Sequence, residues 1–418
     1  MRATHLLFAS AAIGAGALGA FVKLGPTSPP LSGFRGEFEH HRAGPDSGRV
    51  AIMLDGLGHT DPVICALIGD QLGNFWSGSE QSGVGRLAAE ESPTEAAKDS
   101  TSGRVTDPRA VQLLIARLRA PDVCVRRVAG KLLGNSNISA PRLDVLLADA
   151  SPLVREAAAF AAGHGDQKTA SPALRSALHD PVPAVAAMAA WAIGSMEDHS
   201  ARAALLETSR AGDTRVRLAS IWALGQLQDE GALADIVTML RDRDARIRAT
   251  SAEALGRIES AESVPALERA LATDGDARVR VQAARALAER GSPGSAATLG
   301  RALGDADIAV ARAAADALSS LDELHVAPPG LVAALSSPDA ELRHSAARAL
   351  CSIADPATTS ALVRLATDAD PELRKDAVEA LGHIGTKDAV AGITRALTDR
   401  DPQVRKAAVE ALGESKDR

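Results

Sequence analysis

From about Asp107 to Gly413, apolar side chains recur in two alternating stretches per unit, each with helical spacing. The first stretch, read in ADIVTMLRD, ATLGRALGD or AGITRALTD, places aliphatic residues three and four apart and predicts an amphipathic helix. After a short polar turn comes a second stretch, of which DRDPQVRKAAVEALG is the clearest copy. There Val404, Ala408, Ala411 and Leu412 fall on one stripe and predict a second helix with a buried face. The short turn makes the two helices antiparallel.

The second stretch recurs down the chain. Its arginine serves as an anchor and stands at Arg126, Arg155, Arg217, Arg248, Arg280, Arg343, Arg374 and Arg405, with Ala186 and Ala311 at the same place in two further copies. Successive anchors are about 31 residues apart, the period of a repeat array in which each unit buries its apolar face against its neighbours. The expected fold is all-α: a right-handed α-solenoid of about ten two-helix repeats over residues 106–418.

Each residue of the turn has a physical task. In Asp401-Pro402, Asp370-Pro371 and Asp180-Pro181 the aspartate is read as the cap of free amide groups, with proline in the first helical position, where it needs no amide hydrogen. Glycine eight residues after the anchor, as in Gly413, is read as the helix end. The anchor itself opposes the helix dipole and needs a compensating acid. An aspartate stands four residues before it at Asp122, Asp213, Asp244, Asp276, Asp307, Asp339, Asp370 and Asp401. The reading is a ladder of charge-assisted hydrogen bonds joining Asp122, Asp213, Asp244, Asp276, Asp339, Asp370 and Asp401 to Arg126, Arg217, Arg248, Arg280, Arg343, Arg374 and Arg405, within one turn or across neighbouring turns.

Motifs such as DPQVRKAAVEALG, DPELRKDAVEALG and DARIRATSAEALG resemble HEAT repeats of the bacterial kind, related to the phycobilisome lyase HEAT-like group. The resemblance covers about three quarters of the chain. It implies a binding scaffold, although relatives include chromophore lyases, metal-dependent hydroxylases and proteins that handle damaged DNA. The hydroxylases use His-Glu pairs, and no histidine here precedes a glutamate.

Upstream, the pattern changes. Residues 1–23 hold an uncharged apolar run from Leu6 to Val22 and predict a signal peptide or a single membrane anchor. Exported protein is therefore expected: periplasmic, secreted or held at the membrane by this segment. Residues 24–49 are rich in proline, glycine and serine and predict a flexible linker, with His40 and His41 solvated in it. Within residues 50–105, TDPVICALIGDQLGN overlays APDVCVRRVAGKLLGN so that Asp61 falls on Asp122 and Gly73 on Gly134, which predicts a degenerate repeat. A serine- and glycine-rich disordered insertion follows it.

Composition adds three points. Only 2% of residues are aromatic, and much of the apolar content is alanine, which suits closely packed helices. The net charge of −7 offers no broad attraction to phosphate backbones, so nucleic acid is not an expected partner. Cys65, Cys124 and Cys351 show no metal-ligand spacing and read as small core residues, with a Cys65–Cys124 bridge open in an oxidising compartment. No cofactor or metal is expected: the histidines do not cluster, and neither a nucleophile elbow nor a phosphate loop is present.

The functional candidate is a departure from the repeat. Five residues after the anchor the second helix turns outward, and the last six units carry Glu253, Arg285, Asp316, Arg348, Glu379 and Glu410 there. The second to fourth units carry Phe160, Trp191 and Trp222, flanked by Met188 and Leu218. This apolar row on the concave side is the candidate partner-binding surface. The expected function is a non-catalytic protein- or peptide-binding scaffold of the cell envelope. A HEAT-like lyase or other small-ligand enzyme is the alternative, and for the row itself coverage by the chain's own N-terminal part, or ordinary core packing, stays open.

Overall fold

The computed structural model describes residues 47–57, 105–165, 171–210, 212–321 and 324–414. Helix α1 is Ser47–Leu57. Ten helix pairs follow it. The first five are α2 (Pro108–Arg117) with α3 (Val123–Gly134), α4 (Ala140–Leu147) with α5 (Pro152–His164), α6 (Ser171–Ala177) with α7 (Pro183–Ser195), α8 (Arg202–Arg210) with α9 (Thr214–Gln226), and α10 (Leu233–Met239) with α11 (Ala245–Arg257). The last five are α12 (Val264–Thr273) with α13 (Ala277–Arg290), α14 (Ala296–Ala302) with α15 (Ile308–Ser319), α16 (Pro329–Ala334) with α17 (Ala340–Ile353), α18 (Thr359–Leu365) with α19 (Pro371–Ile384), and α20 (Lys387–Ala396) with α21 (Pro402–Glu414). Among the described residues there is no strand, only an isolated parallel bridge between Val105 and Ser136.

The expected α-solenoid is present. Each second helix packs on the second helix of the next unit, and each first helix packs on its own second helix. The second helices form the tighter layer, so the array curves towards them and they line its concave side. The residue before the anchor is buried in every unit, from Val125 and Val154 to Leu373 and Val404. The readings on residues 1–46 and 58–104 lie outside the described residues, except that α1 begins at Ser47, inside the expected linker. Its first amide donates to the Asp107 carboxylate that also caps α2.

The recurrent glycine is a packing device rather than a helix end. Gly163, Gly194, Gly225, Gly256 and Gly382 lie within their helices. A Cβ added to Gly225 would fall 2.8 Å from Ala254 Cα, and one added to Gly163 would fall 2.6 Å from Ala192 Cα. Gly194 meets Ala223, Gly256 meets Ala286 and Gly382 meets Ala411 in the same way. At these five junctions the alanine six after the anchor therefore rests on the glycine eight after the previous one, whereas Ala288, Ser319 and Cys351 stand at that position in three other units. In the last described unit nothing lies within 4 Å of a Cβ built on Gly413.

The ladder uses a different acid from the one expected. The aspartates four before the anchor are helix caps: Asp122 accepts from the Val125 amide, Asp213 from Arg215, Asp244 from Arg246, Asp276 from Arg278, Asp339 from Leu342, Asp370 from Glu372 and Asp401 from Gln403. The anchor instead crosses to the following unit and meets the acid six before the next anchor. Arg155 Nε and Nη2 donate to Asp180 at 2.7 and 2.9 Å, and Arg248–Asp274, Arg280–Asp305 and Arg374–Asp399 repeat this two-point geometry. Arg217 reaches Asp242 through Nη2 alone, at 2.5 Å. Asp180 is thus a ladder acid, and α7 is capped at Val182.

In Arg155, Arg248, Arg280 and Arg374, Nη1 donates to a carbonyl at the end of the unit's own turn, so one guanidinium staples two units. The guanidinium of Arg280 holds Asp305 below the usual carboxylate range against the opposing effect of burial, and Arg374 does the same to Asp399. Where the anchor is Ala186, the next turn carries Ala211 in place of the acid, and where it is Ala311 the next turn carries Ser337. Both partners are missing together, as expected when a lone buried charge is costly. At the second of these junctions Arg312 takes over, donating to the cap acid Asp339 at 2.9 and 2.6 Å.

Three expected ladder members depart from this scheme. Arg126 donates to the Ala120 and Pro121 carbonyls while Arg119 pairs with Asp149. Arg343 donates to the Ser337 and Pro338 carbonyls, and its buried Nε has no hydrogen-bond partner. Arg405, in the last unit, donates to the Asp399 and Arg400 carbonyls. Cys124, read as a core residue, is disulfide-bonded, and Cys65 lies outside the described residues.

Candidate functional site

The row predicted from the repeat occupies α5, α7 and α9 on the concave side. The structure brings two of its rings together: Phe160 stacks on Trp191, centroids 5.4 Å apart and planes 21° from parallel. Phe160 also stacks on His164, at 5.8 Å and 10°. A Cβ added to Gly163 would meet the Trp191 ring at 2.8 Å, and one added to Gly194 would meet the Trp222 ring at 2.9 Å. Each indole therefore lies back over the glycine of the preceding unit. A side chain at an outward position on a bare helix is in this way drawn down onto the helix beside it.

Solvent contact along the row is uneven. Trp191 and Met188 are each 7% exposed, whereas Phe160, Leu218 and Trp222 are half-buried. Trp191 and Met188 form the floor, and Phe160, Leu218 and Trp222 keep accessible edges. In the floor the Trp191 Nε1–H is buried and has no hydrogen-bond partner among the described residues. Such a group costs about 1–3 kcal/mol unless something accepts its hydrogen.

At the N-terminal end the row continues with a residue that the repeat register points to and the aromatic pattern hides. Lys131 stands five after Arg126, the motif position of Phe160, Trp191 and Trp222. It is 8% exposed and has no hydrogen-bond or ion-pair partner among the described residues. Burial pulls its ammonium down to about 8. His164, one unit on, is pushed down to about 4 by burial and then by the charge of Lys131, so its ring is neutral at pH 7. Asn135 Nδ2 lies 3.4 Å from His164 Nε2 and donates to it in that neutral form. The end of the row thus combines a poorly solvated cation, a neutral imidazole and stacked aromatic rings.

Elsewhere on the array two clefts open between successive units. One of about 580 Å³ is lined by Asp368, Arg374, Arg395 and Asp399, and one of about 520 Å³ by Ser337, Arg343, Arg364 and Asp368. In the first cleft Arg374 and Asp399 are already committed to each other. No group of three or more potential metal ligands occurs among the described residues.

A family model for HEAT repeats matches residues 139–212, 204–280, 270–329 and 328–413. No curated protein matches the sequence. Among solved structures the chain is similar to importin beta, with 17% identity and a TM-score of 0.56 over 88% of this chain and 57% of that one. It is also similar to a structure of Kap95p, whose binding induces the switch loops of RanGDP to adopt the GTP-bound conformation, with 14% identity and a TM-score of 0.54 over 88% of this chain and 56% of that one. The chain spans little more than half the length of either, and at these identities the likeness concerns the fold. A structure of human deoxyhypusine hydroxylase in complex with glycerol, at 20% identity over 67% of this chain and 96% of that one, has a TM-score of 0.28, too low to carry an argument. The repeats matched across more than half of the sequence place the chain in the HEAT repeat family.

Proposed function

We propose that the chain is a non-catalytic scaffold that binds a protein or peptide along the concave side of its solenoid, at the row formed by Phe160, Met188, Trp191, Leu218 and Trp222. The observation that supports this most is the register. One motif position carries charge in the last six units and aromatic rings in three successive earlier ones, and the edges of Phe160, Leu218 and Trp222 remain accessible. Concave aromatic anchors framed by polar residues are what a partner helix or extended segment docks against. The ladder and the glycine–alanine contacts hold the curvature and take no part in recognition. Importin beta and Kap95p share the fold, and the second is described bound to a protein.

The proposal includes export to the cell envelope or beyond it. The apolar run of residues 6–22 supports this, and so does the disulfide at Cys124, a bond that persists in oxidising compartments. No described helix is long and apolar enough to cross a membrane. The test is to replace Leu218 and Trp222, separately, with alanine and compare captured partners and unfolding midpoints with the parent. Loss of partners at a near-parental midpoint is the expected result. Unchanged partners in both variants would overturn the groove assignment.

A further inference from the structure

We infer that the segment bound by this row is an acidic one, with a carboxylate beside an apolar or aromatic side chain, and that the carboxylate lands on Lys131 while its neighbour packs against Phe160 and Trp191. The inference rests on the proposed binding role and adds the chemistry of the partner.

Three observations carry it. First, Lys131 occupies the register of the aromatic row, so its side chain runs along the same face as Phe160 one unit on. Second, Lys131 is 8% exposed as a residue and has no carboxylate at ion-pair distance among the described residues, whereas the deeply buried Arg374 is tied to Asp399 by two hydrogen bonds. Folding gains nothing from an unpaired buried charge, whereas a binding site does. Third, the Trp191 Nε1–H, two units further along the row, is buried without an acceptor among the described residues. An unpaired lysine at one end of an aromatic row, with an unmet indole N–H further along it, calls for an acceptor with negative charge. A single ammonium beside a neutral His164 presents one positive charge, which matches the single negative charge of a carboxylate. The other charged groups along this stripe are Arg127, one turn before Lys131 on α3 and exposed, and Glu156, at the matching place on α5. Neither forms an ion pair with Lys131.

The test uses the full chain and two tryptophan-free peptides, acetyl-Ala-Leu-Phe-Asp-Leu-Ala-amide and its counterpart with asparagine in place of aspartate, with binding read from the chain's tryptophan emission and by calorimetry at pH 7. The aspartate peptide is expected to bind about tenfold or more tightly than the asparagine peptide. Lys131→Met should bring the aspartate peptide down to the level of the asparagine peptide and leave the latter unchanged. Its folding is not at risk, since it removes a buried charge and keeps the volume. The preference should also fade as the pH is raised past the ammonium's titration at about 8, His164 being already neutral there. Equal affinity for the two peptides, or a preference that survives Lys131→Met, would overturn the inference while leaving the apolar row as a binding surface. Binding of neither peptide, or binding untouched by Trp191→Ala, would overturn both.

Discussion

Replacing Gly225 with alanine tests the packing rule on which the curvature rests. The new Cβ would lie 2.8 Å from Ala254 Cα and 2.9 Å from Ala254 Cβ, against about 3.5–4.0 Å for carbon atoms in ordinary contact. Both atoms belong to an alanine, so no flexible side chain can swing away, and α9 and α11 must separate by roughly 0.7 Å or more. Overpacking of this kind costs about 1–3 kcal/mol. Alanine gains at most about 1 kcal/mol of helix propensity over glycine, and less in the last turn of α9. The expected net loss is about 1–2 kcal/mol. Gly413→Ala is the matched control: the motif position is the same, the contact is missing, and only propensity acts, giving a change between zero and about 1 kcal/mol in favour of folding. Urea unfolding followed by helical circular dichroism should lower the midpoint for Gly225→Ala and hold or raise it for Gly413→Ala. Hydrogen exchange should place the loosening at the junction of α9 and α11, since an array need not unfold as one unit. A Gly225→Ala midpoint at or above the parent's would refute the close-approach assignment and return this glycine to the role of a helix end.

The staple gives a second prediction. Arg280→Met and Asp305→Ala should each destabilise by about 2–3 kcal/mol because each strands a largely buried charge, and the double variant should lose at least about 1 kcal/mol less than the sum; strict additivity would show that the pair is not coupled. Acid should weaken the array, since Asp305 and Asp399 lie below the usual carboxylate range and Asp276 lies at about 2, lowered chiefly by Arg278. Their folded values lie below the unfolded ones, so this stability is complete above about pH 5 and drains as pH falls from 4 towards 2; a midpoint flat down to pH 2 would contradict it. Asp244→Ala should cost about 1 kcal/mol through loss of the cap on α11, and Asp244→Asn much less, both read from urea midpoints. Alkylation of the unreduced, denatured chain followed by peptide mapping should modify Cys351 and spare Cys124; modified Cys124 would refute the disulfide.

Repeat period, helix pairing, buried stripe and capping were legible because each depends on neighbours a few residues apart. The ladder partner was not, because two positions of the same turn are rich in aspartate and choosing between them needs contacts about 25 residues away. Asp274 and Asp276 differ by two positions, yet one receives Arg248 from the preceding unit while the other caps α13. The sequence does carry a signal for the right choice: the acid six before the anchor disappears at Ala211 and Ser337, immediately after the units whose anchors are Ala186 and Ala311. The glycine was misread because a helix end and a close helix approach demand the same residue. The aromatic positions were found from register alone, but the burial of Trp191 depends on a ring reaching back to Gly163, which a helical wheel does not contain. Lys131 is marked in the sequence only by its motif position in the first unit, since it is not aromatic and its burial depends on the neighbouring unit.

The most direct measurement places a photoreactive phenylalanine analogue at Leu218, and in a parallel variant at Glu410, and irradiates living cells that express each chain. Leu218 has an accessible edge beside Trp222, whereas Glu410 is an exposed charged residue on the second helix of the last unit. Crosslinks to another protein from position 218 and none from 410 are the predicted result. Equal products from the two positions, or products from 218 confined to the chain itself, would contradict partner binding at the aromatic row.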